Sequence, residues 1–339
     1  MALASDRTEE GPSVYGSPSA SPQAADVVVA NPSGPPKPRI PLLRRLLPFV
    51  VAVALLGFVA SRLDYAAFVA ALAKLDYVSF LAFSAAWCVG LLAADALGNY
   101  SAYRLTMPGV KWGDFFLYRG ASYVPGVLNY HLGQGYLTYL MSKLQGIPLA
   151  RMAGATLISY ATWMGCLLGC MAIALPFSTL PKIYVPLILG AGTAYLVVIA
   201  LKPRALQRFT FLAPLFEAGI RGHAISLVAR IPHLCVLVLG TWVSFFFFHV
   251  NIPAGTALVY LPIMLVLTTL PISPQGFGTR DAISALFFAS YAAGDSEAER
   301  LGELAACTTS WGITTTIFAA ILGVVCGRIV QKRLDALKP

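Results

Sequence analysis

Pro271-Ile272-Ser273-Pro274-Gln275-Gly276-Phe277-Gly278-Thr279-Arg280-Asp281 separates two apolar stretches, 254–270 and 282–293. Two prolines remove backbone donors and two glycines loosen the chain, so no regular helix runs through this segment. In hydrocarbon, interrupted backbone survives only where protein covers it or water reaches it. An arginine or aspartate at such a break costs about 2.5–3.5 kcal/mol on insertion scales unless it is paired or liganded. The segment therefore predicts a broken, buried helical hairpin that carries a site.

The surrounding chain sets this break in a membrane. Of 339 residues, 58% are hydrophobic and 12% charged, and mean hydropathy is +0.72. Soluble domains carry about 25% charged residues, so the composition predicts an all-α polytopic membrane protein. The formal charge of +9 is then read by position, because basic residues in short loops set orientation. No basic stretch interleaved with aromatics points to nucleic acid.

Residues 1–39 are rich in Ser, Pro, Ala and Gly, and Val27-Val28-Val29-Ala30 is too short for a signal-peptide core. They are expected to form a disordered cytoplasmic tail, ahead of a transmembrane domain over 40–330 and a basic cytoplasmic tail over 331–339. Candidate full spans are 46–61, 77–97, 152–176, 185–201, 231–250 and 304–327. Two apolar regions, 115–141 and 254–293, contain Pro, Gly and polar interruptions and read as two half-helices each.

Seventeen of the 24 basic residues fall on one predicted face. They are Lys37, Arg39, Arg44, Arg45, Arg104, Lys111, Lys143, Arg151, Lys202, Arg204, Arg208, Arg221, Arg230, Arg328, Lys332, Arg333 and Lys338. The other face holds Arg62, Lys74, Lys182 and Arg300, with an acidic loop over 295–303. Six full spans plus two re-entrant hairpins, with both termini cytoplasmic, satisfy this distribution. Eight spans, with both hairpins crossing, satisfy it equally. In the six-span layout, two spans, a broken hairpin and a span recur in the same order from the opposite side. That is the plan of an inverted-topology repeat, in which paired breaks meet near the midplane. The first break, Tyr123-Val-Pro-Gly-Val-Leu-Asn129-Tyr130-His131-Leu-Gly-Gln134-Gly135, parallels the second in its Pro and Gly-x-Gly content.

These breaks resemble those of the flippase-like family named for the transmembrane region of lysylphosphatidylglycerol synthases. Its hallmark is a Pro-rich Gly-x-Gly break followed by a basic and an acidic residue, matched by Pro271, Ser273, Pro274, Gly276, Gly278, Arg280 and Asp281. Asp281 stands where glutamate is usual. The earlier family motif resembles Pro125 and Gly133-Gln134, with Gln134 where glutamate is common. The resemblance covers most of 40–330. It implies an integral inner-membrane protein that moves lipids or polyisoprenoid-type carriers between leaflets, without the soluble aminoacyl-transfer domain of the two-domain synthases.

The candidate substrate-binding residues are Arg280, Asp281, Ser273, Gln275, Gly276 and Gly278 at the second break, and Asn129, His131 and Gln134 at the first. Arg280 offers a permanent charge with planar donors suited to phosphate. Asp281 has two readings: orienting that arginine or carrying a coupling proton, or capping the half-helix that follows. His131 is placed to titrate near neutrality, or to satisfy carbonyls freed by the break, and the second reading is preferred. Asp95 has two readings, facing the same cavity as the first break or sitting with Asn99 at the membrane interface, and the second is preferred; Arg230 and His233 are expected to snorkel to headgroups. Thr308, Gly312 and Thr315 share one helical face, and Gly165 and Gly169 have small-residue packing spacing.

The six cysteines lack metal-ligand spacing and read as packing residues. No HExxH, Gly-x-Ser-x-Gly or phosphate-binding-loop motif occurs. No metal or cofactor is expected. The function expected is transport of a lipid with an anionic headgroup by a non-enzyme. The alternatives are an accessory subunit of a lipid- or glycan-synthesis enzyme, or a membrane enzyme acting on a lipid-linked substrate.

Overall fold

The computed structural model describes residues 57, 61, 64–269 and 278–335, apart from the side chains of 333 and 334. The expected tail 1–39, most of the candidate span 46–61, and Ser273, Gln275 and Gly276 lie outside the described residues. Everything below belongs to the unit Leu42–Pro339.

Among the described residues the fold is all helical. α1 (Tyr65–Lys74) and α2 (Tyr77–Arg104) each start at an aspartate. Asp64 Oδ1 accepts from the amides of Ala66 and Ala67 at 2.7 and 3.0 Å, and Asp76 Oδ1 accepts from Ser79 at 3.2 Å. Each carboxylate satisfies donors that a helix start leaves without intrahelical partners. α3 (Trp112–Ala121), α4 (Tyr123–Leu128) and α5 (Tyr130–Gln145) occupy the first interrupted region. The extended backbone of Asn129 divides α4 from α5, and its Oδ1 caps α5 by accepting from His131 N at 2.8 Å.

α6 (Leu149–Ala174) is followed by a 3₁₀ turn, Leu175–Phe177. α7 (Tyr184–Leu201), α8 (Arg204–Gln207), α9 (Ala213–Val228) and α10 (Ile231–Phe246) come next. α11 (Ala254–Thr269) and α12 (Thr279–Phe288) flank the second break, and α13 (Glu297–Asp335) closes the described chain.

Five stretches are long and apolar enough to cross a membrane: Tyr77–Arg104, Leu149–Phe177, Tyr184–Leu201, Ala213–Phe246 and Glu297–Lys332. They contain all the candidate spans from the second to the sixth, except the end of the fifth. One difference is large. The segment before 231 is not a basic loop. α9 buries Leu215, Phe216, His223 and Ser226 and packs on α6, α2 and α7. Its backbone breaks at Gly219, whose φ of 57° and ψ of −175° suit a residue without Cβ.

α2 lies against α3, α6, α9, α10 and α13. Around its first half Phe80, Phe83 and Trp87 meet Phe247, Phe248 and Trp311, with ring centroids as close as 4.6 Å for Trp87–Trp311. The outer surfaces are greasy as well. Ile313, Ile317 and Ile321 of α13 are exposed at successive turns, and Leu187 and Leu189 are exposed on different sides of α7, as lipid contact requires.

The broken hairpins exchange partners. α3 packs on α13 and α2, and α4 on α13, while α11 packs on α6 and α10. The outgoing arms stay with their own halves: α5 on α6, and α12 on α13.

Candidate functional site: a buried carboxylate between two arginines

Asp95 sits two-thirds of the way along α2 and is 2% exposed. It faces the cavity described below, the other of its two readings, and not the protein surface. Apart from Asn99, one turn along the same helix, its partners could not be read from local sequence, because they come from other parts of the chain. Oδ2 accepts from Arg119 Nε at 2.7 Å and lies 2.6 Å from Arg119 Nη2. Tyr123 Oη donates to the same oxygen at 3.2 Å. Oδ1 accepts from Asn99 Nδ2 at 2.8 Å and from Arg230 Nη1 at 3.1 Å. Both lone-pair regions of the carboxylate are filled.

A second layer holds the donors. Arg119 Nη1 donates to Ser122 Oγ at 2.8 Å. Arg230 Nη2 bonds Ser159 Oγ, which itself donates to Asn99 Oδ1 at 2.6 Å. Arg230 is fully buried, and among the described residues its Nε has no hydrogen-bond partner. His233 is 7% exposed, stacks on Trp163 at 4.5 Å, and places Nδ1 3.8 Å from Asp95 Oδ1. The snorkelling expected of Arg230 and His233 is overturned: one turn of α10 carries both inward. Gly98 makes room, since a Cβ there would overlap Arg230 Cδ.

A cavity of about 220 Å³ opens beside this cluster. Its charged lining is Asp95, Arg119 and Arg280, with His233 beside them, and its remaining walls come from α2, both sides of the first break, and α13. Trp87, Tyr123 and Tyr130 give it aromatic surface, and Gly312, Thr315 and Thr316 give it a small, polar side. The Arg119 guanidinium lies 5.2 Å from the Tyr123 ring centroid and 5.9 Å from that of Tyr130, within cation–π range.

The sequence candidates separate around this cavity. Arg280 lines it. Asp281, 7% exposed, accepts from Gly278 N at 2.9 Å through Oδ2 and from Thr308 Oγ1 through Oδ1. It caps α12, and Gly278 supplies the left-handed turn at φ 77°. Asn129 acts as the α5 cap, and His131 Nδ1 is 2.9 Å from Tyr160 Oη instead of meeting a freed carbonyl. Gln134 is buried, with Nε2 donating to Tyr130 Oη at 2.9 Å and Oε1 unpartnered. Of the glycine pair in α6, Gly165 has Leu227 in contact range of a would-be Cβ, whereas Gly169 faces open space. None of the six cysteines is in a disulfide. Among the described residues, no cluster of His, Cys, Asp and Glu could hold a metal.

Arg119 was missed, although a signal existed. Seventeen basic residues on one face and four on the other leave three of the 24: Arg7 in the tail, Arg119 and Arg280. The two arginines that no loop accounts for are those that line the cavity. Compared with protein-family models, curated proteins and solved structures, the chain matches none.

Proposed function

We propose that this membrane protein moves a lipid between leaflets, its anionic headgroup passing through the Arg119–Arg280 cavity while the acyl chains stay in the bilayer. The observation that carries the reading is the cavity itself, walled by the first break and by Arg280 beside the second. Broken helices that meet around a charged cavity are the architecture of membrane transport sites. At about 220 Å³ it is smaller than the roughly 300–1,000 Å³ of sites that enclose a drug-sized ligand. A headgroup enters and the chains do not. Thr315, Thr316 and the aromatic rings would take the headgroup's hydroxyls and carbon skeleton.

The packing of α3 and α4 on α13 and of α11 on α6 is what an inverted repeat would give, and the proposed arrangement is six full spans and two re-entrant hairpins, in the inner membrane with both termini cytoplasmic, as the distribution of basic residues suggests. The likeness of the second break to the lysylphosphatidylglycerol synthase membrane region points the same way.

Reconstitution into proteoliposomes with a labelled anionic phospholipid tests the proposal. A charge-assisted contact is worth about 1.5–3 kcal/mol, so Arg280→Ala is expected to slow transport about tenfold or more. Arg151→Ala, which removes only an exposed pair with Glu217, is the control and should leave the rate unchanged. Wild-type protein that moves no lipid, or Arg280→Ala at the wild-type rate, would defeat the reading.

A further inference from the structure

Two arginines on one carboxylate is an excess of buried positive charge, and its geometry is asymmetric. Arg119 holds Oδ2 of Asp95 and lines the cavity, whereas Arg230 holds Oδ1 and lies behind it. The two guanidiniums use different oxygens, so one can leave without disturbing the other. Arg119 stands on α3 next to the first break, while Arg230 is packed between Gly98 and Ser159 and is fully buried.

We infer that Asp95 is the resident counter-anion of the empty site, and that a phosphate-type oxyanion binds by taking Arg119 from it. Arg230 makes this exchange affordable. Before binding, Asp95 neutralises Arg119. After it, the ligand phosphate does, and Asp95 keeps Arg230, Asn99 and the Tyr123 hydroxyl. Neither state leaves a buried carboxylate without a cation, a condition that costs several kcal/mol when it fails. A site with Arg119 and Asp95 alone would have to strand the carboxylate to bind its ligand. Arg230 is thus a positioning residue that touches no ligand, and Asp95 competes with the ligand.

The inference rests on the anion-binding reading of the cavity, and it gives the two variants opposite signs. Arg230→Gln leaves Asp95 with Arg119 as its remaining arginine, so release becomes harder and affinity falls. Asp95→Asn frees Arg119, and affinity rises. A merely structural cluster would lower affinity in both.

The measurement is equilibrium binding to purified full-length protein in zwitterionic micelles, with fluorescent phosphatidylglycerol in one arm and inorganic phosphate in the other. Arg230→Gln is expected to weaken binding about tenfold, equivalent to about 1.4 kcal/mol, and Asp95→Asn to tighten it by a similar factor. The Asp95→Asn gain should vanish in Asp95→Asn/Arg119→Gln. Asp95→Asn leaves two buried arginines without an acid and is the variant at risk of not folding. Arg230→Gln leaves Asp95 paired with Arg119, so it can still overturn the exchange if Asp95→Asn does not fold, whereas a loss of affinity there supports exchange only beside the Asp95→Asn gain, with folding followed by helical circular dichroism.

Unchanged or tighter binding in Arg230→Gln overturns the exchange. Loss of fold in that variant does too, because Arg230 would then be an indispensable structural partner. The same pattern with inorganic phosphate as with the lipid supports exchange and names a free anion as ligand. A response to the lipid alone supports exchange with a headgroup. Binding with this variant pattern but no transport in proteoliposomes defeats the transporter reading and leaves the exchange standing.

Discussion

Gly98 and Arg230 show how a single residue sets the charge cluster. Arg230 crosses the face of α2 where Gly98 has no side chain, and its guanidinium is pinned at both ends by Asp95 and Ser159. A methyl group at 98 would push the arginine at Cδ, in mid-chain, where it cannot swing aside. Gly98→Ala is expected to lose about 1–3 kcal/mol, the usual penalty for overpacking, measured by thermal unfolding in detergent. Adding Arg230→Ala should recover much of that loss, because the overlapping Cδ goes with the side chain. A double variant no more stable than Gly98→Ala would show that the glycine serves something else. Asp95 and Arg119 illustrate a matching limit of sequence reading. An aspartate followed by an asparagine one turn later looks the same at an interface as in a core. Only partners 24 and 135 positions away distinguish them.

At the scale of the element, the two breaks are held by different devices. In the first, a Cβ on Gly133 would sit 2.8 Å from the Ser122 carbonyl and 2.9 Å from Gly126 Cα. Both obstacles are backbone and cannot rotate away. Gly133→Ala should therefore splay α4 from α5, and limited proteolysis would detect it as new cleavage near the break. The second break is tied down through Asp281, which holds Gly278 N and receives the Thr308 hydroxyl from α13. Thr308→Val leaves a buried carboxylate oxygen short of a donor, at a cost of about 1–3 kcal/mol in unfolding experiments. The first interruption was legible as a region, from its Pro, Gly and polar content, although the helices divide at Asn129 and not at Pro125 or Gly133. The division of labour between Arg280 and Asp281, adjacent in sequence, was not. One lines the cavity and the other turns back to cap the helix, and successive residues on a helix point about 100° apart.

At the scale of the whole molecule, the exchange of hairpins between halves makes a prediction about sidedness. If the two sets of helices are inverted copies, single cysteines at Gly126 and Gln275, in a background with the native cysteines removed, should label from opposite sides of sealed vesicles. Labelling of both from one side would eliminate the inverted arrangement while leaving the cavity intact. The length of α13 bears on the same question. Its 39 residues span about 58 Å at 1.5 Å per residue, roughly twice the hydrocarbon thickness. The helix must project beyond the bilayer, and α1 packs along it.

Hydropathy alone marked the helices long and apolar enough to cross a membrane, and proline, glycine and interleaved polar residues marked the interrupted region in which α3, α4 and α5 divide. Both are properties of short windows, set by solvent transfer and by local backbone sterics, so a sequence carries them openly. Tertiary structure decided which charges meet. The cost of burying Asp95, Arg119 and Arg230 is met only by their pairing with one another, and pairing between helices far apart in sequence depends on how those helices pack. That packing turned an apparent interfacial aspartate and a snorkelling arginine into the back wall of the site.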